Sequence, residues 1–250
     1  MRHLFEHWSA VAKRLKAVRS IALFLDFDGT LAEIVDHPAQ AALPASTRLG
    51  LERLRRRRDV RICIVSGRDH ASLRRAVNIR GVRCLGLYGW DRGNGLHLDQ
   101  PTRRALAAAK RDLAGRLEGL PGVWIENKGD AFAVHYRGAA GVAVRRARSA
   151  LRAALEPFGE ALRVIDAKKA WDVLPLAIRC KGAAVRRELA EHPADLAVYA
   201  GDDTADECAF AAVAGGISIR VGARRPSRAE FRLRDPEEVG LFLEKLEELL

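Results

Sequence analysis

No apolar run in this 250-residue chain approaches the roughly 18 residues that a membrane-spanning helix needs, so no membrane role is expected. The N-terminal stretch MRHLFEHWSAVAKRLKAV is studded with charge and lacks the apolar block of a secretory signal. Within it Leu4, Trp8, Val11, Leu15 and Val18 recur at helical spacing, which predicts an amphipathic helix packed on the body. Cysteine is scarce: Cys63, Cys84, Cys180 and Cys208 form no CxxC pair and no zinc-type spacing. Cys63 and Cys84 fall in apolar strand candidates, where a free thiol behaves as a small hydrophobe. That usage fits a reducing compartment, and a cytoplasmic location is expected. Repeats and low-complexity tracts are missing. Aromatic residues make up only 6% and are not interleaved with basic ones, so the stacking platform of a single-strand nucleic-acid binder is not present.

Positive charge, in contrast, is plentiful. Lys and Arg number 43 against 32 Asp and Glu, a net charge of +11 that suits an anionic ligand. The arginines are scattered over helix faces, at Arg55 to Arg58, Arg103 and Arg104, Arg145 and Arg146, as solvated surface usually is. No nucleic-acid partner is expected. The oligomeric state is open, with a monomer as the working expectation.

Short continuous apolar runs at Ile21–Leu25, Val60–Val65, Val82–Leu87, Leu196–Ala200 and Ile217–Val221 read as strands buried on both faces. Helical patterns follow several of them, at Thr47–Arg57, Ala71–Val77 and Asp206–Val213, and the chain closes on a helix opened by Pro236. The middle is different. A helix over Pro101–Leu117 leads to GVWIENKGDAFAVHYRG, two alternating strands around Lys128-Gly129-Asp130. A second helix and a second hairpin candidate, LRVIDAKKAWDVLP, follow. The reading is an α/β fold: a Rossmann-like parallel-sheet core over residues 1–98 and 179–250, with an α+β cap inserted over 99–178.

Four polar pieces sit at or just beyond strand ends: DFDGT (26–30), SGR (66–68), Lys181 with Gly182, and GDDTADE (201–207). In an open α/β sheet the ligand crevice lies outside the carboxyl ends of the strands, where all four can meet. If Asp26, Asp28, Asp202 and Asp203 converge, each carboxylate pair at about 4 Å costs on the order of 4 kcal/mol at an effective dielectric of 20. A cation must compensate, and oxygen ligands suit Mg²⁺. Asp26, ending its strand, is placed as a nucleophile toward phosphorus, and Asp28 as the acid for the leaving group and base for water. Asp26, Asp28, Asp202 and Asp203 form the expected metal set, with Asp203 as ligand or outer partner. Lys181, the Ser66 hydroxyl and the backbone N–H groups around Gly67 suit phosphate oxygens. Arg68 completes the set as a substrate-binding cation. Two alternatives stay open here: Ser66 as a helix cap, and Asp206 with Glu207 as ordinary first-turn acids.

With these residues in order, the sequence resembles the haloacid-dehalogenase-like phosphatases, whose motifs run DxD, Ser or Thr, Lys, then GDD. More narrowly it is similar to the trehalose-6-phosphate phosphatase family. The matching segments are LFLDFDGTLAEIV, IVSGR, ENKGDAFAVHYR, DVLP followed by KG, and GDDTADECAF. The resemblance implies a Mg²⁺-dependent cytoplasmic hydrolase that passes through an aspartyl phosphate and releases trehalose and phosphate. It also implies that Glu126, Lys128 and Asp172 bind the sugar. Strand alternation puts Glu126 and Lys128 on one face, and His135 and Arg137 likewise share a face that can reach the same cleft. The plain alternative for these four is a cross-strand salt-bridge network. The sequence departs from the family at Ala205, where Thr is usual, at Asp172, where Glu is common, at Tyr88-Gly89-Trp90 in place of a His-Gly pair, and at Ala167 in place of Gly. Competing functions are a phosphatase for sucrose 6-phosphate or a glycosyl phosphoglycerate, and a non-catalytic sugar-phosphate sensor.

Overall fold

The computed structural model describes residues 1–93 and 98–250. Contacts divide the chain into two units, Met1–Gly93 with Cys180–Leu250, and Asn94–Arg179. The elements of the first unit up to that division are β1 (Arg2–His3), α1 (Trp8–Lys16), β2 (Ile21–Leu25), α2 (Ala45–Leu54), β3 (Val60–Val65), α3 (His70–Val77) and β4 (Arg83–Leu85). The second unit holds α4 (Gln100–Leu117), β5 (Trp124–Asn127), β6 (Phe132–His135), α5 (Gly141–Leu155), β7 (Leu162–Ala167) and β8 (Ala170–Pro175). The first unit then resumes with α6 (Lys181–Glu191), β9 (Leu196–Gly201), α7 (Glu207–Ala212), β10 (Ile217–Val221), β11 (Phe231–Leu233) and α8 (Pro236–Leu249). Among the described residues, no helix is long and apolar enough to cross a membrane.

The larger sheet has seven strands in the order β1-β11-β10-β9-β2-β3-β4, all paired in parallel. Period-two alternation in the apolar runs explains why both faces are covered. Ile21, Leu23 and Leu25 of β2 enter one core with Ile62 and Ile64 of β3 and Val198 and Ala200 of β9. The intervening Ala22 and Phe24 enter a second core with Cys63, Val65 and Tyr199. Helices α1, α2, α3 and α8 supply Leu15, Leu51, Leu73 and Phe242 to the first core, while α6 and α7 supply Val185 and Phe210 to the second. A slip of one residue would exchange the two sets, so the register is firmly specified. That register sets Leu25 opposite Ile64 on one side and Ala200 on the other. The ends of β2, β3 and β9 are therefore nearly flush, and β2 sits where connections diverge to either side.

Two elements differ from the sequence expectation. The strand expected over Val82–Leu87 stops at Leu85 and gives way to a 3-10 turn over Leu87–Gly89. Leu87 and Tyr88 there adopt positive φ values of 44° and 61°, which ends any strand. The N-terminal helix begins only at Trp8, because Arg2 and His3 pair with Phe231 and Arg232 as an edge strand.

In the second unit, a four-stranded antiparallel sheet runs β5-β6-β8-β7. Phe132, Val134, Trp171 and Val173 turn one face toward Leu106, Ala109, Leu113 and Leu117 of α4 and Ala147 and Leu151 of α5. The opposite face carries the residues between them, including Ala133 and Asp172, which pair in register. Because this apolar core belongs to one unit alone, Leu113→Ala should cost about 2–5 kcal/mol there. Hydrogen exchange should speed up in β6 and β8 and stay unchanged in β2; equal acceleration in both sheets would contradict separate cores.

Candidate active site

Each acidic residue at the carboxyl end of the large sheet is placed by the strand before it. Asp26 follows β2 and is anchored by its N–H donating to the Ala200 carbonyl at 2.9 Å, while Asp202 follows β9 directly. A 3-10 turn over Thr204–Asp206 then folds Asp206 back. Asp26, Asp202 and Asp206, all buried, offer oxygens within 4.8 Å of one another. Lys181, the first residue of α6 and only 4% exposed, donates to Asp26 Oδ1 and to Asp206 Oδ1, each at 2.7 Å. Tyr199 Oη also donates to Asp206 Oδ1 at 2.7 Å, and the Asp203 N–H to its Oδ2 at 2.9 Å. Burial pushes the Asp26 pKa well above the usual carboxylate range; Lys181 opposes this, and Asp206 and Asp202 reinforce it. The Lys181 pKa is raised as well: burial alone would depress it, but Asp206 and Asp26 more than offset that.

Within this group one ammonium faces three carboxylates, so the group carries net negative charge when all are ionised. A pair of them at the separation found here costs on the order of 3 kcal/mol at an effective dielectric of 20. The donor set is all oxygen, which matches a hard divalent ion. Gly29 adds a second sign of a closely built cradle: its φ is +86°, and a Cβ there would collide with Asp202 Oδ2.

The remaining expected residues divide by what they touch. Asp28 accepts from Arg68 Nε at 2.7 Å and Nη2 at 2.6 Å, a bidentate clamp. Arg68 also donates to the Pro38 carbonyl at 2.7 Å and lies 5.0 Å over the Phe27 ring. It thereby ties the segment after the first motif to the turn after β3. Ser66 is buried, and its Oγ accepts from the Arg68 N–H at 3.2 Å, with Gly67 between them. Ser66 is not the helix cap, since Asp69 caps α3 by accepting from the Ser72 N–H. Asp203 stands outside the converging group. Its Oδ1 accepts from Thr204 N–H at 2.6 Å and Thr204 Oγ1 at 3.2 Å, capping the 3-10 turn. Asp206, which sequence reasoning left open as a first-turn acid, takes the inner place. Tyr199 was missed because a tyrosine inside VYAG looks like core. The only available signal was that a buried phenol needs a polar partner.

In the second unit, Lys128 Nζ donates to Asp172 Oδ1 at 2.8 Å and lies 3.9 Å from Glu126 Oε2. His135 Nε2–H donates to Glu126 Oε2 at 2.8 Å, and Trp124 stacks on the His135 ring with centroids 4.2 Å apart. The strand register explains the grouping, because Glu126, Ala133 and Asp172 stand side by side and alanine leaves room between the acids. Arg137 lies beyond the end of β6, is exposed, and donates to the Lys168 carbonyl at 3.4 Å.

The Gly29 contact tests the close approach directly. Gly29→Ala should destabilise the protein by at least about 2 kcal/mol through backbone strain and the collision with Asp202, a fall of roughly 4–8 °C in Tm. Gly159→Ala, where nothing lies within 4 Å, should leave Tm within about 2 °C. Equal melting temperatures for the two variants would show that the Gly29–Asp202 approach is not tight.

The chain is similar to several known proteins. A Mycobacterium tuberculosis protein named an uncharacterized glycosyl hydrolase is 37% identical over 253 residues, 94% of this chain but 19% of that protein. The trehalose-phosphate phosphatase of Mycolicibacterium paratuberculosis is 35% identical over 254 residues, covering 94% of this chain and 64% of the relative. The chain thus spans less than two thirds of the length of either relative. The solved C-terminal domain of the Candida albicans trehalose-6-phosphate phosphatase superposes with a TM-score of 0.81 over 97% of both chains at 22% identity, which shows that the two share a fold. The sequence model of the trehalose-phosphatase family matches residues 24–237, from the end of β2 into α8, and the chain belongs to that family.

Proposed function

We propose that this protein is a Mg²⁺-dependent phosphomonoesterase that hydrolyses trehalose 6-phosphate to trehalose and phosphate. The observation that carries the reading is the buried convergence of Asp26, Asp202 and Asp206 around Lys181 at the strand ends. Relatives named trehalose-phosphate phosphatase, similar over nine-tenths or more of this chain, support the substrate.

The chemistry follows from the placement of these groups. Asp26 is a nucleophile only as a carboxylate. Lys181 opposes its protonation, and a divalent ion held by Asp26, Asp202 and Asp206 would supply the remaining positive charge and draw in the phosphate oxygens. Asp26 Oδ then bonds to phosphorus as the bond to the sugar oxygen breaks, giving an aspartyl phosphate. Asp28 delivers a proton to the departing sugar oxygen; it then takes one from a water that attacks phosphorus as the Asp26 Oδ–P bond breaks, releasing phosphate. Because Asp28 accepts two bonds from Arg68, proton delivery requires Arg68 to release at least one of its oxygens. Lys181, the Ser66 hydroxyl and the Gly67 N–H face phosphate charge, and Asp203 shapes the ion's turn from outside. In the unit 99–178, read as a sugar-binding cap, Glu126, Lys128, His135 and Asp172 offer donors and acceptors to hydroxyls, with Arg137 at their margin. Four free thiols fit a cytoplasmic enzyme.

Phosphate release from trehalose 6-phosphate, sucrose 6-phosphate and a glycosyl phosphoglycerate, with and without Mg²⁺, tests the reading. The specificity constant for trehalose 6-phosphate should lead by about 100-fold or more, the separation that sites built around substrate hydroxyls reach. Chelation should abolish activity, and Asp26→Asn should lower kcat by at least about 10³-fold in a folded protein. Comparable rates on all three esters would remove the substrate assignment, and retained activity in Asp26→Asn would remove the nucleophile.

The raised pKa of Asp26 carries its own consequence. In the ion-free site this carboxyl keeps its proton to higher pH than an ordinary aspartate, and ion binding must displace it. Affinity for Mg²⁺ should therefore weaken as pH falls through that pKa, by up to about tenfold per pH unit. Calorimetry in buffers of different ionisation enthalpy should record proton release; a pH-independent affinity with no proton released would contradict it.

A further inference from the structure

Arg220 is the penultimate residue of the hydrophobic strand β10 yet is only 4% exposed, and a buried guanidinium is costly unless its charge and donors are met. Its two terminal nitrogens find partners, while its buried Nε has none. Nη2 donates to the Asp202 carbonyl at 3.0 Å, and Nη1 to Glu207 Oε1 at 3.1 Å. Through its other oxygen, Glu207 accepts from the Arg228 N–H at 2.8 Å. Strand register sets Arg220 beside Gly201, the residue before Asp202. One side chain on β10 thus spans the whole turn from Asp202 to Glu207, gripping a carbonyl at its start and a carboxylate at its end.

We propose that Arg220 and Glu207 form a positioning pair that holds the Asp202–Asp206 turn at the spacing a divalent cation requires. The inference rests on reading the carboxylate group as a cation site. The turn itself is short, a single 3-10 turn whose Asp206 N–H reaches the Asp203 carbonyl at 3.2 Å. Asp202 and Asp206 repel one another when both are ionised, so an unbraced turn would relax by moving them apart. Arg220 resists that movement through the backbone carbonyl of Asp202, without occupying its carboxylate. Glu207 cancels the guanidinium charge, so the brace does not repel an arriving cation. Neither residue belongs to the converging group itself. Loss of such outer partners typically weakens metal affinity 10–100-fold.

Calorimetric titration of the full chain with Mn²⁺, paired with the thermal shift caused by Mg²⁺, separates the possibilities. Wild type should bind the ion and Asp202→Ala should not. Arg220→Met and Glu207→Gln should each bind 10–100-fold more weakly. Arg220→Met with Glu207→Gln removes both charges and leaves the net charge unchanged. If position matters, the double variant binds no better than the weaker single one. Recovery of wild-type affinity in the double variant would reduce the pair to an electrostatic effect and overturn the proposal, as would single variants within twofold of wild type. If Arg220→Met gives no cooperative melting transition, Glu207→Gln decides the matter alone, since its side chain is 26% exposed and keeps its shape. A wild type that binds no Mn²⁺ would instead bring down the cation site on which the inference depends.

Discussion

The structure turns on one ammonium group. Lys181 Nζ bridges Asp26 and Asp206 at 2.7 Å each, in a place where neither the lysine nor the acids have appreciable access to water. Each charge would be expensive there alone. Together they are still one-sided, because Asp202 adds a third carboxylate to the group. On the proposed reading, this imbalance at the ends of the central strands serves a positive ion and an anionic ester.

The surrounding elements serve that arrangement. Flush strand ends at β2, β3 and β9 deliver Asp26, Ser66 and Asp202 to one edge. The start of α6 brings Lys181, and Gly182 beside it lies so close to the Cys208 carbonyl that a Cβ would collide with it. Gly29 performs the same service for Asp202. Close backbone approaches at two glycines therefore fix the spacing of the charges. The Ala205 departure does not empty the turn of hydroxyl bonding, since Thr204 Oγ1 reaches Asp203 from one place earlier.

The parallel core was legible because its strands are continuous apolar runs whose alternate residues feed two cores. The pair Asp26 and Asp28 was legible because two acids after such a run exceed what a turn needs. The choice between Asp203 and Asp206 was not. It depends on which acid a single 3-10 turn rotates inward, and both positions look alike in GDDTADE. The bond between Arg68 and Asp28 joins residues 40 positions apart, a pairing that no local pattern encodes. Strands β1 and β11 are only two and three residues long, too short for periodicity to show. In the second unit, alternation correctly grouped Glu126 with Lys128. It lost its meaning at Arg137, because β6 ends at His135.

The most direct test of the account is a crystal structure with Mg²⁺ and beryllium trifluoride, which mimics a phosphoryl group on a carboxylate. The account predicts the trifluoride bonded to Asp26 Oδ, with Asp202 and Asp206 on or beside the ion and Lys181 turned toward a fluorine. Beryllium on any other residue, or an ion bound without Asp202, would contradict it.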